Sequence, residues 1–419
     1  MTRKSSPPAA RRVLVAAHSH PAITKGGAEF AAWRLHEAIS ATPGRESWFL
    51  AGARDGSAQP GSHFSQPFDE RQFIYAPTGF DWFKFANLDR HYPAEFAGVL
   101  RETAPDIIHF HHHIVLGVES FLHVRRTLPK ARTVLTLHEF LAICHNHGQM
   151  VKHGSHMLCH ESSPRDCNRC YPEFGRGDFF LRKEYVRRFF DLVDHFIAPS
   201  HFLADRYIAW GLPKERVSVI ENIIPEASAA PAAAPAKGRL RVGYFGQISE
   251  LKGIGVALDA MASLLTDGET GIEFEVHGDY SSQPEKFREG IIGRLAEAGP
   301  NVRFHGVYEN DRVDQLMRAV DVVVVPSLWW ENSPVVIQEA MRNRRPVICS
   351  DIGGMAEKVR DGVDGFHFPM GSAPALAALL KRLAHDPGAL TAIQKAQGRP
   401  VTPGETLGAH LALYDRLLG

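Results

Sequence analysis

The sequence predicts an α/β protein built from two doubly wound parallel-sheet domains, one following the other. Three observations lead there. The order strand, glycine-bearing turn, amphipathic helix opens the chain at residues 13–39 and returns at residues 240–265. Short, β-branched, near-continuously apolar runs alternate with helix-length segments in each half, the pattern of parallel strands buried on both faces. Between the halves stands EASAAPAAAPAKG, residues 226–238, rich in Ala and Pro and free of aromatics, which reads as a linker.

The elements follow in order. Val13 to Ala17 is the first strand, Gly26-Gly27 the turn, and Phe30, Trp33, Leu35 and Ile39 recur at helical spacing. DIIHF (106–110), TVLTLH (133–138), HFIAPS (195–200) and VSVIEN (217–222) supply further strands of the first half. In the second half Leu240 to Phe245 is a strand, residues 246–253 a glycine-bearing loop, and Ile254 to Leu265 a helix. FEVHG (274–278), VRFHG (302–306), DVVVVPS (321–327) and PVICSD (346–351) continue the second sheet. The domains therefore read as 1–225, a linker at 226–238, and 239–400, with a terminal helix at 401–419 expected to pack back on the first domain.

Composition narrows the function classes. With 419 residues, 47 basic and 47 acidic side chains, and 44% hydrophobic content, the chain has ample core and no bulk attraction for nucleic acid or an anionic membrane. Five cysteines are too few for a disulfide scaffold. MTRKSSPPAARR leads into a short apolar stretch broken by His18, which does not read as a signal peptide, and no run reaches the ~18 apolar residues of a membrane span. A cytoplasmic protein is expected, with any membrane contact peripheral at the inner face.

Parallel sheets bind ligands outside the carboxyl ends of their strands, and the polar residues of interest fall there. Lys252-Gly253 stands where the loop after the first strand of the second half enters a helix, a place where free N–H groups and the helix dipole favour an anion. Glu331 precedes a second helix start, with Ser333 suited to the cap and Pro334 to the first helical position, and Glu339 lies in that helix eight positions on. A carboxylate accepts hydrogen bonds from paired hydroxyls, as a ribose or hexose presents them. The plainer reading makes Lys252 a solvated lysine, Glu331 a dipole partner and Glu339 a partner of Arg342.

The ordered set GGAE (26–29), FGQISELKG (245–253), ENSPVVIQEA (331–340) and PVICSDIGGMAEKVRDGVDGF (346–366) resembles glycosyltransferase family 4. The resemblance implies a retaining enzyme of the GT-B fold, two Rossmann-like domains, with a nucleotide-diphosphate sugar as donor. It implies that Glu331 contacts the donor-sugar hydroxyls with Asn332, Ser333 and Pro334 beside it, that Glu339 holds the nucleotide ribose, and that Lys252 holds the diphosphate. Backbone around Gly26, Gly27 and Gly246 closes on the same group. Many family members carry arginine where this chain has Gln247, so Lys252 and the helix N-termini must supply more of the neutralising charge. No Asp-x-Asp motif accompanies these elements, and no catalytic divalent metal is expected.

In the first half the resemblance places His138 beside the transferred sugar, with catalytic roles carried over to His138, Lys252 and Glu331; a capping or core histidine is the plainer reading of His138. HFHHH (109–113) ends another strand, and since successive strand side chains point to opposite faces, the adjacent histidines cannot converge on one metal. His109 or His111, with Glu139, is expected to face the acceptor. Cys144, Cys159, Cys167 and Cys170 are separated by 14, 7 and 2 residues within a polar segment, 144–170. That spacing suits a structural zinc, with His145, His147 and His160 as substitute ligands, or simply reduced thiols or a redox pair. Cys349 reads as a small core residue.

Leu181, Tyr185, Phe189 and Leu192 recur at helical spacing, with Arg182, Lys183, Arg187 and Arg188 on a basic side. Such a helix either lies on anionic lipid or turns its aromatics to the core; acid at its far end favours the core. Phe80, Trp82, Phe83 and Phe85 form an aromatic loop suited to acceptor stacking or to packing. The function expected is transfer of a sugar from a nucleotide-diphosphate sugar to a saccharide or lipid-linked acceptor, in cell-surface polysaccharide or glycoconjugate synthesis. The rivals are a nucleotide-sugar epimerase and a non-catalytic, zinc-stabilised carbohydrate-binding protein.

Overall fold

The computed structural model describes residues 11–53, 62–155, 157–226 and 238–419. Nearly all of the 226–238 linker segment lies outside these residues. The chain divides into two compact units: one runs to His153 and takes in Cys159–Ile223 and Pro403–Gly419, the other holds Gly154–Leu158 and Ile224–Thr402.

The first unit begins with β1 (Arg11–Ala17), α1 (Gly27–Ser40), β2 (Arg45–Gly52), β3 (Phe64–Ser65) and β4 (Gln72–Tyr75). A small hairpin of β5 (Phe80–Asp81) and β6 (Ala86–Asn87) leads to α2 (Tyr92–Thr103) and β7 (Ile107–Phe110). Next come α3 (Ser120–Thr127), β8 (Arg132–Thr136), α4 (Pro164–Cys170), α5 (Arg176–Phe190), β9 (His195–Ala198), α6 (His201–Trp210) and β10 (Val217–Val219). Among the described residues the sheet order is β10-β9-β8-β7-β1-β2-β4-β3, parallel except for β3. β1 thus pairs with β2 on one side and β7 on the other, with Val15 level with Phe49 and His109. Val13, Val15 and Ala17 of β1 pack with Leu35 and Ile39 of α1 in one buried cluster.

The second unit holds β11 (Leu240–Phe245), α7 (Ile254–Thr266), β12 (Ile272–His277), α8 (Glu285–Glu297), β13 (Val302–Gly306), α9 (Val313–Ala319) and β14 (Val322–Val325). It continues with α10 (Val335–Arg342), β15 (Val347–Ser350), α11 (Gly353–Lys358), β16 (Gly365–Phe368), α12 (Ala373–His385) and α13 (Pro387–Ala396). The order is β13-β12-β11-β14-β15-β16, all parallel. Alternation along the strands divides the core in two: Val242, Tyr244, Val322 and Val324 face α7 and α12, while Phe245, Val323 and Val325 face α9, α10 and α11. Helices on both faces explain why the strands read as continuous apolar runs. The final helix, α14 (Pro403–Leu418), belongs to the first unit, where Leu413 and Tyr414 join the cluster of β1 and α1.

One local expectation needs correction, and another is decided between its two alternatives. In α5 the buried residues are Phe179, Arg182, Val186 and Phe190, whereas Leu181 is 60% exposed. The reason is Arg182: its guanidinium is buried and donates to the carbonyls of Phe83 (2.8 Å), Ala142 (2.9 Å) and Leu141 (2.6 Å). A residue assigned to the solvated basic side is therefore the inward one, and the helix is turned accordingly. The aromatic loop is the β5–β6 hairpin, and it packs: Phe85 is buried and Phe83 stacks on Phe174 at 4.2 Å.

Arg182→Met should destabilise the protein by about 3 kcal/mol, because three buried acceptors lose their donor together. Leu181→Ala should stay within about 0.5 kcal/mol of the parent. Denaturant unfolding of the two variants checks the register, and equal effects would refute it.

Candidate functional site

Each sheet reverses its strand order once, and the singled-out side chains gather at the reversals. In the second unit it lies between β11 and β14. The loop after β11 carries Gly246, Gln247 and Lys252, and the loop after β14 carries Ser327, Trp329 and Glu331. Consecutive connections leave for opposite faces there, so a groove opens at the strand ends.

Lys252 Nζ donates to Glu331 Oε1 at 2.7 Å across that groove. The same oxygen accepts from Ser327 Oγ (2.8 Å) and Trp329 Nε1 (2.9 Å), and the lysine ammonium stands 5.3 Å from the centre of a Trp329 ring. Glu331 is 5% exposed, so its charge needs these donors. Two glycines allow the loops to meet. Gly253 caps α7 at φ +71°, and a Cβ there would lie 1.8 Å from the Pro326 carbonyl oxygen. Gly354 donates its N–H to the Glu331 carbonyl at 2.8 Å, and a Cβ there would lie 1.6 Å from the Asn332 carbonyl oxygen. Neither position has room for any side chain.

Other expected residues fall as follows. α10 begins at Val335, so Pro334 is the cap residue, one position later than expected, and Ser333 Oγ instead accepts from Gln338 Nε2 at 3.1 Å. Glu339 is buried in α10, and burial followed by its charge pushes the Tyr308 phenol up. Arg342 pairs with Asp314 at 2.7 Å, which removes it as the expected plain partner of Glu339. The Gln247 side chain turns to Ser282 Oγ at 3.3 Å.

In the first unit the reversal lies between β1 and β7, and the loops after β1, β7 and β8 bring in His18, His111, His112, His113, His138 and Glu139. Gly26 caps α1, which starts at Gly27. His138 Nε2 lies 3.1 Å from His111 Nδ1. His112 Nε2 contacts Glu139 Oε1 at 2.6 Å, and His18 Nε2 contacts Glu29 Oε1 at 3.1 Å. Burial favours the neutral Glu139 carboxyl, but the charge and hydrogen bond of His112, then the charge of His138, outweigh it and hold the group at about 2. Burial pushes His138 down to about 4 and His111 well below its ordinary value.

His109 does not face an acceptor. It is fully buried, with Nδ1 2.6 Å from Tyr414 Oη of α14 and Nε2 2.7 Å from Thr136 Oγ1 of β8, so the ring ties the terminal helix to the sheet. Of the expected acceptor-side residues Glu139 has the more open side chain, at 26% exposure, while His111 is buried. The pairing of His18 with Glu29 escaped the sequence reading; a histidine directly after β1 and a glutamate in the first turn of α1 were its only signal.

The zinc expectation is not met. Among the described residues no group of three or more His, Cys, Asp or Glu side chains is arranged to hold a metal ion. The thiols are engaged otherwise: Cys159 Sγ donates to the Glu161 carbonyl at 3.0 Å, Cys170 Sγ accepts from the His153 N–H at 3.0 Å, and burial raises the Cys144 thiol to about 11. The segment is held instead by Tyr171 Oη on Asn146 Oδ1 (2.6 Å), Asn146 Nδ2 on the Val151 carbonyl (2.9 Å), and the His145 ring against Tyr171, Phe174 and Phe83. Cys349 is buried in the core. Among the described residues no helix is long and apolar enough to cross a membrane.

Comparison with known proteins bears on these arrangements. Residues 25–227 match the family described as Glycosyltransferase Family 4, and residues 239–386 match Glycosyl transferases group 1. The chain is 29% identical over 211 residues to the amylovoran biosynthesis glycosyltransferase AmsK of Erwinia amylovora, covering 48% of this chain and 50% of that one. It is 32% identical over 192 residues to the 2-deoxystreptamine glucosyltransferase of Streptomyces kanamyceticus, covering 44% and 48%. It thus spans about half the length of these curated relatives. Among solved structures it is similar to HepE of Anabaena in complex with UDP and glucose, with TM-score 0.66, 18% identity, and 96% and 99% of the two chains covered. Sucrose-phosphate synthase of Thermosynechococcus elongatus gives TM-score 0.68 at 17% identity, with 97% and 99% covered.

The buried histidines give a pH prediction. His109, His111, His113, His138 and His410 all have folded-state values below 6.5, so between their folded values and 6.5 the unfolded chain binds more protons. Stability should therefore rise with pH through this window and fall as pH drops from 6.5 toward 4. Thermal unfolding at pH 7.5, 6.5, 5.5 and 4.5 should show Tm declining over the acid steps; a flat profile would count against neutral buried histidines.

Proposed function

Since the chain belongs to the GT-B glycosyltransferases of the family 4 and group 1 type, we propose that it transfers a sugar from a nucleotide-diphosphate sugar to a saccharide or lipid-linked acceptor, in polysaccharide or glycoconjugate synthesis. The observation that carries the reading is the Lys252–Glu331 contact across the β11/β14 reversal, with Glu339 buried in the adjoining helix. A nucleotide-diphosphate sugar brings a counterpart for each of these groups. Its phosphates draw the Lys252 ammonium away, and sugar hydroxyls replace the lysine as donors to Glu331. Glu339 then takes the ribose hydroxyls, and the N–H groups around Gly246 and the start of α7 complete the anion site.

Transfer proceeds with retention at the anomeric carbon, by attack on the face from which the diphosphate departs. The charge developing on the leaving oxygens is met by Lys252 and backbone dipoles, so no divalent metal is needed for this step. His138, beside His111, is the catalytic group of the first unit. The acceptor side is the His112–Glu139 end of the first unit. The reaction belongs to the cytoplasmic face, and the exposed Phe180 and Leu181 of α5, flanked by Arg176 and Arg188, are the surface through which the chain would meet an anionic bilayer.

The test uses labelled nucleotide sugars, with UDP as the first binding probe. Lys252→Ala should lower turnover about 10²-fold, and normal turnover would remove it from the diphosphate site. Glu331→Gln should leave UDP affinity equal or tighter, since the competing ion pair is gone, while turnover falls. Weaker UDP binding would contradict the exchange of partners. Glu339→Ala should weaken UDP binding about tenfold or more, as read by calorimetry. Transfer should persist in excess chelator, and its loss would refute the metal-independent step. Isomerisation of the donor without transfer would replace the reading with an epimerase.

A further inference from the structure

His18 was singled out by no motif, yet its surroundings are those of a working imidazole. It is the first residue after β1, at the reversal between β1 and β7. Its Nε2 contacts Glu29 Oε1 at 3.1 Å, and Glu29 is 4% exposed in the first turn of α1, where the helix dipole favours a carboxylate. The carboxylate folds back over the cap: a Cβ on Gly26 would lie 2.4 Å from Glu29 Oε2. A glycine at 26 is thus what lets Glu29 reach His18.

The neighbouring imidazole is fixed. His112 Nδ1 accepts the Ile114 N–H at 3.2 Å, which puts its proton on Nε2, the atom that donates to Glu139. Its ring meets the His18 ring edge-on at 4.6 Å. Glu29 accepts the hydrogen bond from His18 Nε2, and in the neutral ring that leaves Nδ1 as the acceptor. That Nδ1 is buried and has no hydrogen-bond partner. A buried acceptor left unpaired costs on the order of 1–3 kcal/mol, and such atoms in native proteins call for an explanation. The His18 side chain is 21% exposed, so the ring borders solvent, and Nδ1 is the covered atom that a ligand must uncover.

The ligand must bring a hydrogen to Nδ1. Two ionised carboxylates, Glu29 and Glu139, stand behind the two rings, and burial, which opposes their charge, is outweighed by the adjoining imidazoles. An ionised diphosphate has no hydrogen to give there, and a neutral hydroxyl does. We propose that His18, oriented by Glu29, binds the sugar acceptor: its Nδ1 accepts a hydrogen bond from the attacking hydroxyl. Glu29 is a positioning residue, acting through His18. This rests on the glycosyltransferase reading above.

Asparagine and glutamine separate the two ring nitrogens. His18→Asn keeps an acceptor atom near the Nδ1 position and loses the reach to Glu29; His18→Gln keeps that reach and loses the Nδ1 group. The full chain is assayed for UDP affinity and for transfer from labelled nucleotide sugars to octyl glycosides. His18→Gln should keep UDP affinity within threefold while transfer falls about 10²-fold, with acceptor KM raised. His18→Asn should retain more transfer than His18→Gln, and Glu29→Gln should raise acceptor KM more than it lowers kcat. Transfer by His18→Gln within threefold of the parent overturns the proposal. So does the reverse order of the two variants, which marks the Glu29 contact as structural. A parent protein that turns over no nucleotide sugar removes the glycosyltransferase reading, and this inference falls with it. An active parent with an unaffected His18→Gln removes the inference alone.

Discussion

The reversal of strand order in each parallel sheet is the constraint on which the rest depends. Strands covered by helices on both faces are mostly apolar along their length, so polar side chains gather at their ends. At the β11/β14 and β1/β7 positions the chain must leave in opposite directions, and the loops part. Lys252, Glu331, His18, His112 and Glu139 all stand at those partings. The glycines beside them follow from the same crowding: Gly253 and Gly354 are required because the parted loops are braced backbone to backbone against Pro326 and Asn332.

The Lys252–Glu331 pair shows how such a groove stays both stable and responsive. An uncompensated buried carboxylate would cost several kcal/mol, yet one built into a rigid cage could not change partners. Here one oxygen takes three donors, of which Ser327 and Trp329 belong to the same loop as the acceptor while Lys252 comes from another. The two local donors can hold the carboxylate while the lysine leaves. Gln247 fits that economy of charge. With an amide turned to Ser282 instead of a second cation, the groove has less positive charge to hide when empty.

Much of this was legible in the sequence, and the failures have physical causes. Strands β1, β7, β8, β9, β11, β12, β14 and β15 could be read because burial makes their composition extreme. The edge strands β10 and β13 were read from their β-branched and aromatic residues although they are less buried. β2, β4 and β16 were missed: RESWFLAG carries a polar start, QFIY is short, and GFHF includes a glycine and a histidine. The face of α5 was misjudged because hydropathy counts Arg182 as solvated, and only tertiary structure supplies three carbonyls to a buried guanidinium. The cysteine segment looked unable to pack because its partners, Tyr171, Phe174 and Phe83, lie outside it. Glu331 and Lys252 were legible as separate motifs, but their contact across 79 positions was not.

The histidines of the first unit carry the last step. His109, His111, His112, His113 and His138 adjoin one another in pairs, and proximity alone would make any of them a candidate. Their partners sort them. His109 gives both nitrogens to hydroxyls and behaves as a buried tie between sheet and terminal helix. His111 and His138 face each other and are pushed toward neutrality by burial. His112 and His18 are the two backed by carboxylates, and a carboxylate both fixes the tautomer and strengthens the far nitrogen as an acceptor. In His112 that nitrogen is already taken by the Ile114 N–H. Of the two imidazoles backed by carboxylates, His18 is therefore the one whose far nitrogen has no partner.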